Sequence, residues 1–339
     1  MKTTLCIAAA SLLGMFFWQR TSAGSDIETY CGMCDASAVV ALNDEYFVIA
    51  DDEDSIMRIF SREKPGPAIF RTNLTTFLGF APKDEADVEG GARIGDRFYW
   101  ITSHGNNRKG KEQESRQRFF AVTIQAGASG PTIQGAGRPY AGLLDDLLNE
   151  PRLAQFNLKA SLGLPPKSPG ALNIEGLAAT PDGRILIGFR NPIPGNEALI
   201  VPLLNPAEVV AGARARFGDP IQINLGGYGI RSIDQWRGGY LIVGGSADGK
   251  GKSRLYEWSG DAQPPRLVSG VDFEGINPEA ISVFTRNGVD ELLVVSDDGT
   301  RKVNGVECKK LKDPMQKTFR AVEVSIGSGV AATAIRPKE

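Results

Sequence analysis

Hydrophobic and polar positions alternate along this chain in one recurring phrase. A short apolar stretch rich in small residues comes first. A turn follows, then a stronger apolar stretch rich in Val, Ile, Phe and Tyr, and then a polar cluster. The phrase occurs as DASAVVALNDEYFVIADDED (35–54), DVEGGARIGDRFYWITSHG (87–105), NIEGLAATPDGRILIGFRNP (173–192), IRSIDQWRGGYLIVGGSADG (230–249) and PEAISVFTRNGVDELLVVSDDG (278–299). The turns LND, IGD, TPDG, WRGG and RNGVD carry Gly, Asn or Asp where a hairpin needs left-handed or Asx backbone. A third apolar run follows each phrase: SIMRIFSR, RFFAVTI, ALIVPLL, SRLYEWSG and FRAVEVSI. Small antiparallel sheets recurring at roughly 50 residues predict an all-β fold, a β-propeller of about five blades.

The interval between the second and third phrases is long. Its excess, about residues 125–170, reads as an insertion with a helical part, AGLLDDLLNEPRLAQF (141–156), and a Pro-rich loop, LGLPPKSPG (162–170). A sixth blade lost from this interval is the alternative. The run IETYC (27–31) is expected to join the last blade and close the ring. That closure would bring Cys31 or Cys34 near Cys308, so the expected disulfide is Cys308 with one of those two.

The N-terminus changes the compartment. Lys2, the apolar run TLCIAAASLLGMFFW and the small residues TSA (21–23) have the layout of a signal peptide spanning 1–23. Residues 24–339 would then be one exported propeller domain, periplasmic or secreted, with no membrane span left after processing. Disulfides persist in such compartments. The net charge of −2 gives no basic field for nucleic acid. There is no G-x-S-x-G elbow, P-loop, dinucleotide fingerprint or H-E-x-x-H motif.

Aligning the phrases at their first small residue places Asp35, Glu89, Glu175, Arg231 and Glu279 in one column. The ends of the second strands bring Asp51 and Asp52, His104, Arg190, and Asp297 and Asp298. In a hairpin the start of one strand lies beside the end of the next. In a closed ring both sets therefore converge on the mouth of the central channel. Gathered carboxylates need a compensating cation. All available acids are oxygen donors, so Ca²⁺ or another hard divalent ion suits Asp35, Glu89, Glu175 and Glu279. Zinc does not, with a single histidine in the chain. Arg190 and Arg231 would clamp an anionic substrate and His104 would protonate a leaving group. This makes a metal-assisted hydrolase of phosphate or carboxylic esters. The alternative is a non-catalytic propeller binding a protein or small anionic ligand on the same face.

The stretches CDASAVVALNDEYFVIADDED, DVEGGARIGDRFYWITSHGNNRKGK, NIEGLAATPDGRILIGFRNP and GIRSI resemble the bacterial family called domain of unknown function 3616. That family name implies no activity. NIEGLAATPDGR also resembles hairpins of the phytase-like esterase propellers, a likeness that implies ester or phosphate-ester hydrolysis. Arg231 departs from the acid that the other repeats carry at its position.

Overall fold

Each phrase folds as the start of an antiparallel sheet, because its turn is tight and its flanking runs are apolar. The computed structural model describes residues 25–127, 130–286, 288–327 and 335–336. The expected signal peptide, 1–23, lies outside the described residues. Blade 1 consists of Ala36–Ala41, Tyr46–Asp51, Ile56–Ser61 and Phe70–Asn73. Blade 2 consists of Val88–Ile94, Arg97–Thr102, Phe119–Gly127 and Gly130–Tyr140. Blade 3 is built from Asn173–Ala179, Ile185–Asn191, Ala198–Leu203 and Ile221–Ile223. Blade 4 is built from Gly229–Trp236, Gly239–Gly245, Arg254–Trp258 and Arg266–Leu267. Blade 5 takes Pro278–Arg286, Val289–Ser296 and Thr318–Ile326 from late in the chain. Its next strand is the N-terminal Ser25–Cys31, antiparallel to Thr318–Ile326, and Ile335–Arg336 pairs beyond it. The innermost strand of every blade touches those of its two neighbours, so the five blades form a closed ring.

The core is divided in the same way. Five apolar clusters each lie between two consecutive blades. The seam between blades 5 and 1 is aromatic: Tyr30 stacks on Phe319 at 5.1 Å and meets Phe47 and Phe60 edge-on. This seam fastens the N-terminal strand, since such rings add packing energy beyond their buried area. The small residues of the innermost strands have a physical cause in these seams. A Cβ on Gly91 would stand 2.7 Å from Val40 of blade 1, and one on Gly176 would stand 2.7 Å from Ile230 of blade 4.

Two expectations are refined. Gly130–Tyr140 pairs with Phe119–Gly127 as the outer strand of blade 2, so the insertion begins after Tyr140, not near 125. Within it, the expected long helix is a short one, Leu143–Asn149, followed by 3-10 turns at Pro151–Phe156 and Leu158–Ser161. Pro151 lacks the N–H that would continue the helix, and Glu150 before it is extended. Leu143, Leu144, Leu147, Leu153 and Leu158 bury themselves in the seam between blades 2 and 3. The disulfide joins Cys34 to Cys308 and leaves Cys31 reduced. No helix among the described residues is long and apolar enough to cross a membrane.

Candidate functional site at the channel mouth

The ring of polar side chains is produced by a β-bulge repeated in every blade. The pairing of the two inner strands slips between Ala36 and Ala38, Val88 and Gly90, Ile174 and Gly176, Ile230 and Ser232, and Pro278 and Ala280. The residue left unpaired is Ser37, Glu89, Glu175, Arg231 or Glu279. A bulge re-aims the side chain of its extra residue. Here it turns Glu89, Glu175, Arg231 and Glu279 into a cavity of about 390 Å³ at the channel mouth. Arg190, Asp52 and Asp297, from the ends of second strands, line the same cavity.

The structure corrects the first column. The counterpart of Glu89 in blade 1 is Ser37, not Asp35. Its hydroxyl is turned to the carbonyl of Val88, 2.5 Å away, and ties blade 1 to blade 2. Asp35 belongs to a second column, two residues before the bulge, with Asp87, Asn173, Gly229 and Asn277. Sequence reading missed this column, and its signal was a polar residue at a fixed offset from the bulge. Asp87, Asn173 and Asn277 line the cavity, as do Glu53, Glu85, Arg108, Arg116 and Lys167.

Four expected site residues are not in the cavity lining. His104 is buried, its Nδ1–H donating to the Thr102 carbonyl at 2.8 Å. Burial pulls its pKa down to about 4, so the ring is neutral at physiological pH. Asp298 is held by Arg320 at 2.7 Å and by Arg301 at 3.2 Å, and anchors blade 5. Asp51 accepts the Glu53 N–H at 2.8 Å within the loop after its strand. Asp35 bridges to Asp297 through the backbone and borders the cavity's acids from behind.

The cavity has two chemically distinct sides. On the side of blades 3 and 4, completed by Glu279 of blade 5, two arginines and two glutamates alternate. Arg190 donates to Glu175 at 2.5 Å and lies 3.8 Å from Glu279. Arg231 contacts Glu279 and lies 3.9 Å from Glu175. Asn173 also donates to Glu175, at 2.7 Å, and Asn277 accepts from Arg231 at 3.0 Å. Burial pulls on both guanidiniums. Arg231, repelled in addition by Arg190, falls to about 10. For Arg190 burial also pulls downward, but Glu175, Glu89 and Asp297 together raise it.

On the side of blades 1, 2 and 5 acids predominate. Ligand oxygens of Asp52, Asp87 and Glu89 lie within 4.8 Å of one another, as do those of Asp35, Asp52 and Glu53. Asp87 is the best satisfied, accepting from Ser103 and pairing with Arg116 at 3.2 Å. One oxygen of Asp52 is buried with no hydrogen-bond partner. Burial, then Glu175, Asp87 and Asp52, push Glu89 well above the usual carboxylate range. Burial, then Asp51 and Asp87, do the same to Asp52. Asp35 rises to about 7 through burial, Asp297 and Glu53.

The oxygens of Glu89, Glu175 and Glu279 also lie within 4.8 Å of one another. That trio suits a divalent ion poorly, because Arg190 and Arg231 already occupy the positions beside Glu175 and Glu279. The set Asp52, Asp87 and Glu89 suits one better, because among the described residues its ion pairs are confined to Arg116, on Asp87.

Residues 35–124 and 136–304 match the family described as Protein of unknown function (DUF3616). The chain belongs to that family. Among solved structures, it is similar to the β-xylosidase RS223 at 11% identity, covering 91% of this chain and 97% of that one, with a TM-score of 0.47. It is similar to an α-L-arabinofuranosidase from Clostridium thermocellum at 13% identity, covering 90% and 94%, with a TM-score of 0.46. It is similar to Myxococcus xanthus glutaminyl cyclase at 12% identity, covering 89% and 98%, with a TM-score of 0.44. No curated protein sequence matches it.

Proposed function

We propose that this DUF3616-family propeller is an exported hydrolase of phosphate or carboxylic esters, working at its channel mouth with a hard divalent cation such as Ca²⁺. The observation that carries the reading is the division of the cavity. Three carboxylates, Asp52, Asp87 and Glu89, crowd together on one side, and two guanidiniums, each paired with a glutamate, stand on the other. Asp52, Asp87 and Glu89 would hold the ion. Glu175 and Glu279, expected from sequence as ligands, instead orient the arginines. A bound divalent ion supplies Lewis acidity and a more acidic water. Arg190 and Arg231 offer fixed positive charge where negative charge grows on the ester oxygens. Ser103 and Arg116 fix the Asp87 carboxylate. The signal-like N-terminus and the Cys34–Cys308 disulfide support export.

A second reading, a non-catalytic site for a small anion, is favoured by the placement of His104 outside the cavity. One experiment separates them. In EDTA the protein is melted alone and with added Ca²⁺, and hydrolysis of p-nitrophenyl phosphate and p-nitrophenyl acetate is followed. Ca²⁺ is expected to raise the melting temperature of wild type by mass action, and to leave Asp52→Asn and Glu89→Gln unmoved. Turnover should fall to background in both variants. An unchanged melting temperature for wild type rules out the ion. A Ca²⁺ shift with no turnover on any ester leaves the binding reading.

A further inference from the structure

The arginine side of the cavity continues outward onto a place where two cations meet without an acid between them. Gly249 sits in the loop after the second strand of blade 4, at φ +74°. A Cβ built there would stand 3.2 Å from the Lys167 ammonium and 3.3 Å from Nη2 of Arg190. The two nitrogens therefore share the space over the Gly249 backbone. Arg190 uses its other nitrogens, Nη1 on Glu175 at 2.5 Å and Nε on the Ser246 carbonyl at 3.2 Å. Nη2 makes no hydrogen bond, and Lys167 makes no ion pair, among the described residues. The nearest loop acid, Asp248, is already engaged by Ser246 Oγ at 2.8 Å and the Lys250 N–H at 2.9 Å.

Lys167 is held there rather than adrift. It lies in the Pro-rich stretch PPKSPG. The buried Asn191 donates to the carbonyls on either side of it, Pro166 at 3.2 Å and Ser168 at 2.7 Å. Asn191 directly follows Arg190, so one strand end sets both cations. Two like charges brought together cost free energy that an anion between them would remove.

We propose that Lys167 and Arg190, meeting over Gly249, form a subsite for a tetrahedral oxyanion, which makes the substrate a phosphate ester rather than a carboxylic ester. The subsite rests on the reading of the channel mouth as a substrate site. Arg190 is already balanced by Glu175, so what the place offers is one net positive charge, on Lys167, and two free donors, Arg190 Nη2 and Lys167 Nζ, that converge from different directions. A tetrahedral oxyanion has an acceptor oxygen for each donor and others to spare, whereas a planar carboxylate has two in all. Glycine at 249 keeps the space open, and a side chain there would fill it.

Titration with inorganic phosphate, sulfate and acetate in EDTA, followed by calorimetry and thermal melting, tests the subsite without any metal. Phosphate and sulfate are expected to bind and acetate to bind at least tenfold more weakly. Lys167→Gln, an exposed change that leaves the fold intact, should weaken phosphate about tenfold. Lys250→Gln, a nearby exposed lysine, should leave it unchanged. Equal phosphate affinity in wild type and Lys167→Gln overturns the subsite, and equal binding of acetate overturns the preference for a phosphate ester. Ca²⁺-dependent melting of Lys167→Gln should match wild type. If wild type binds phosphate as described but shows no Ca²⁺ shift, the metal reading fails alone and the subsite stands.

Discussion

The two sides of the channel mouth are lined from the same bulged inner strands and the strand ends beside them, yet they differ in electrostatic state. The side of blades 3 and 4, with Glu279 of blade 5, is closed on itself: each of Glu175 and Glu279 faces both Arg190 and Arg231. The side of blades 1, 2 and 5 is open: Asp35, Asp52 and Glu89 are held above the usual carboxylate range by burial and then by neighbouring acids. A cluster whose acids are already balanced by arginines has little charge left for an ion to offset, whereas a cluster of acids with few cations is poised to take up a counter-charge. The contrast teaches that repeat symmetry sets where groups gather, and that one substitution within the repeat, arginine for acid at position 231, sets what they can bind.

The largest way to break the comparison is to remove a cation from the closed side. Arg190→Met should destabilise the protein by about 4 kcal/mol, since it leaves buried glutamate charge uncompensated. Adding Glu175→Gln should recover much of that loss. Urea denaturation of the single and double variants measures both, and a cost below about 1 kcal/mol would mean that the network is not structural.

A smaller effect should come from the open side through pH. The Asp35 pKa is raised to about 7 in the folded protein. A raised acid stabilises the fold below its unfolded pKa, and this contribution is lost as pH rises through about 7. Metal-free wild type should therefore lose stability between roughly pH 4 and pH 7. Asp35→Asn should melt a few degrees higher than wild type at neutral pH, and together with it at acid pH. Identical pH profiles would remove Asp35 from the strained set.

The smallest effect concerns a lysine that reaches the open side from blade 5. Lys309 lies 2.8 Å from Glu53 and 4.0 Å from Asp35. Because the Glu53 partner is largely exposed, Lys309→Met should cost less than about 1 kcal/mol. It should also sharpen the contrast, by tightening Ca²⁺ binding as one competing charge is withdrawn. Calorimetric titration with Ca²⁺ would register that gain, and weaker binding would mean that Lys309 organises the acids instead of competing with the ion.

The five recurring phrases carried the ring in plain view. Period, turn residues and apolar runs are local properties, and they determine hairpins wherever the chain lies. The closing strand at IETYC was legible for the same reason, and so was the convergence of Glu89, Glu175, Arg190, Arg231 and Glu279. The bulge was not, because it is a slip in pairing between strands and leaves no mark in composition. Aligned on small residues alone, Ala36 stood in for Ala38, two positions early, and this put Asp35 in the place of Ser37 and hid the second column of Asp87, Asn173 and Asn277. Burial of His104 depends likewise on contacts made far away in the chain. What the sequence determined by itself is the blade, its repetition and the supply of acids to one opening. Which acids are neutralised, which are left strained, and where Lys167 meets Arg190 were decided only by tertiary structure, because charges interact by distance in space and not by spacing along the chain.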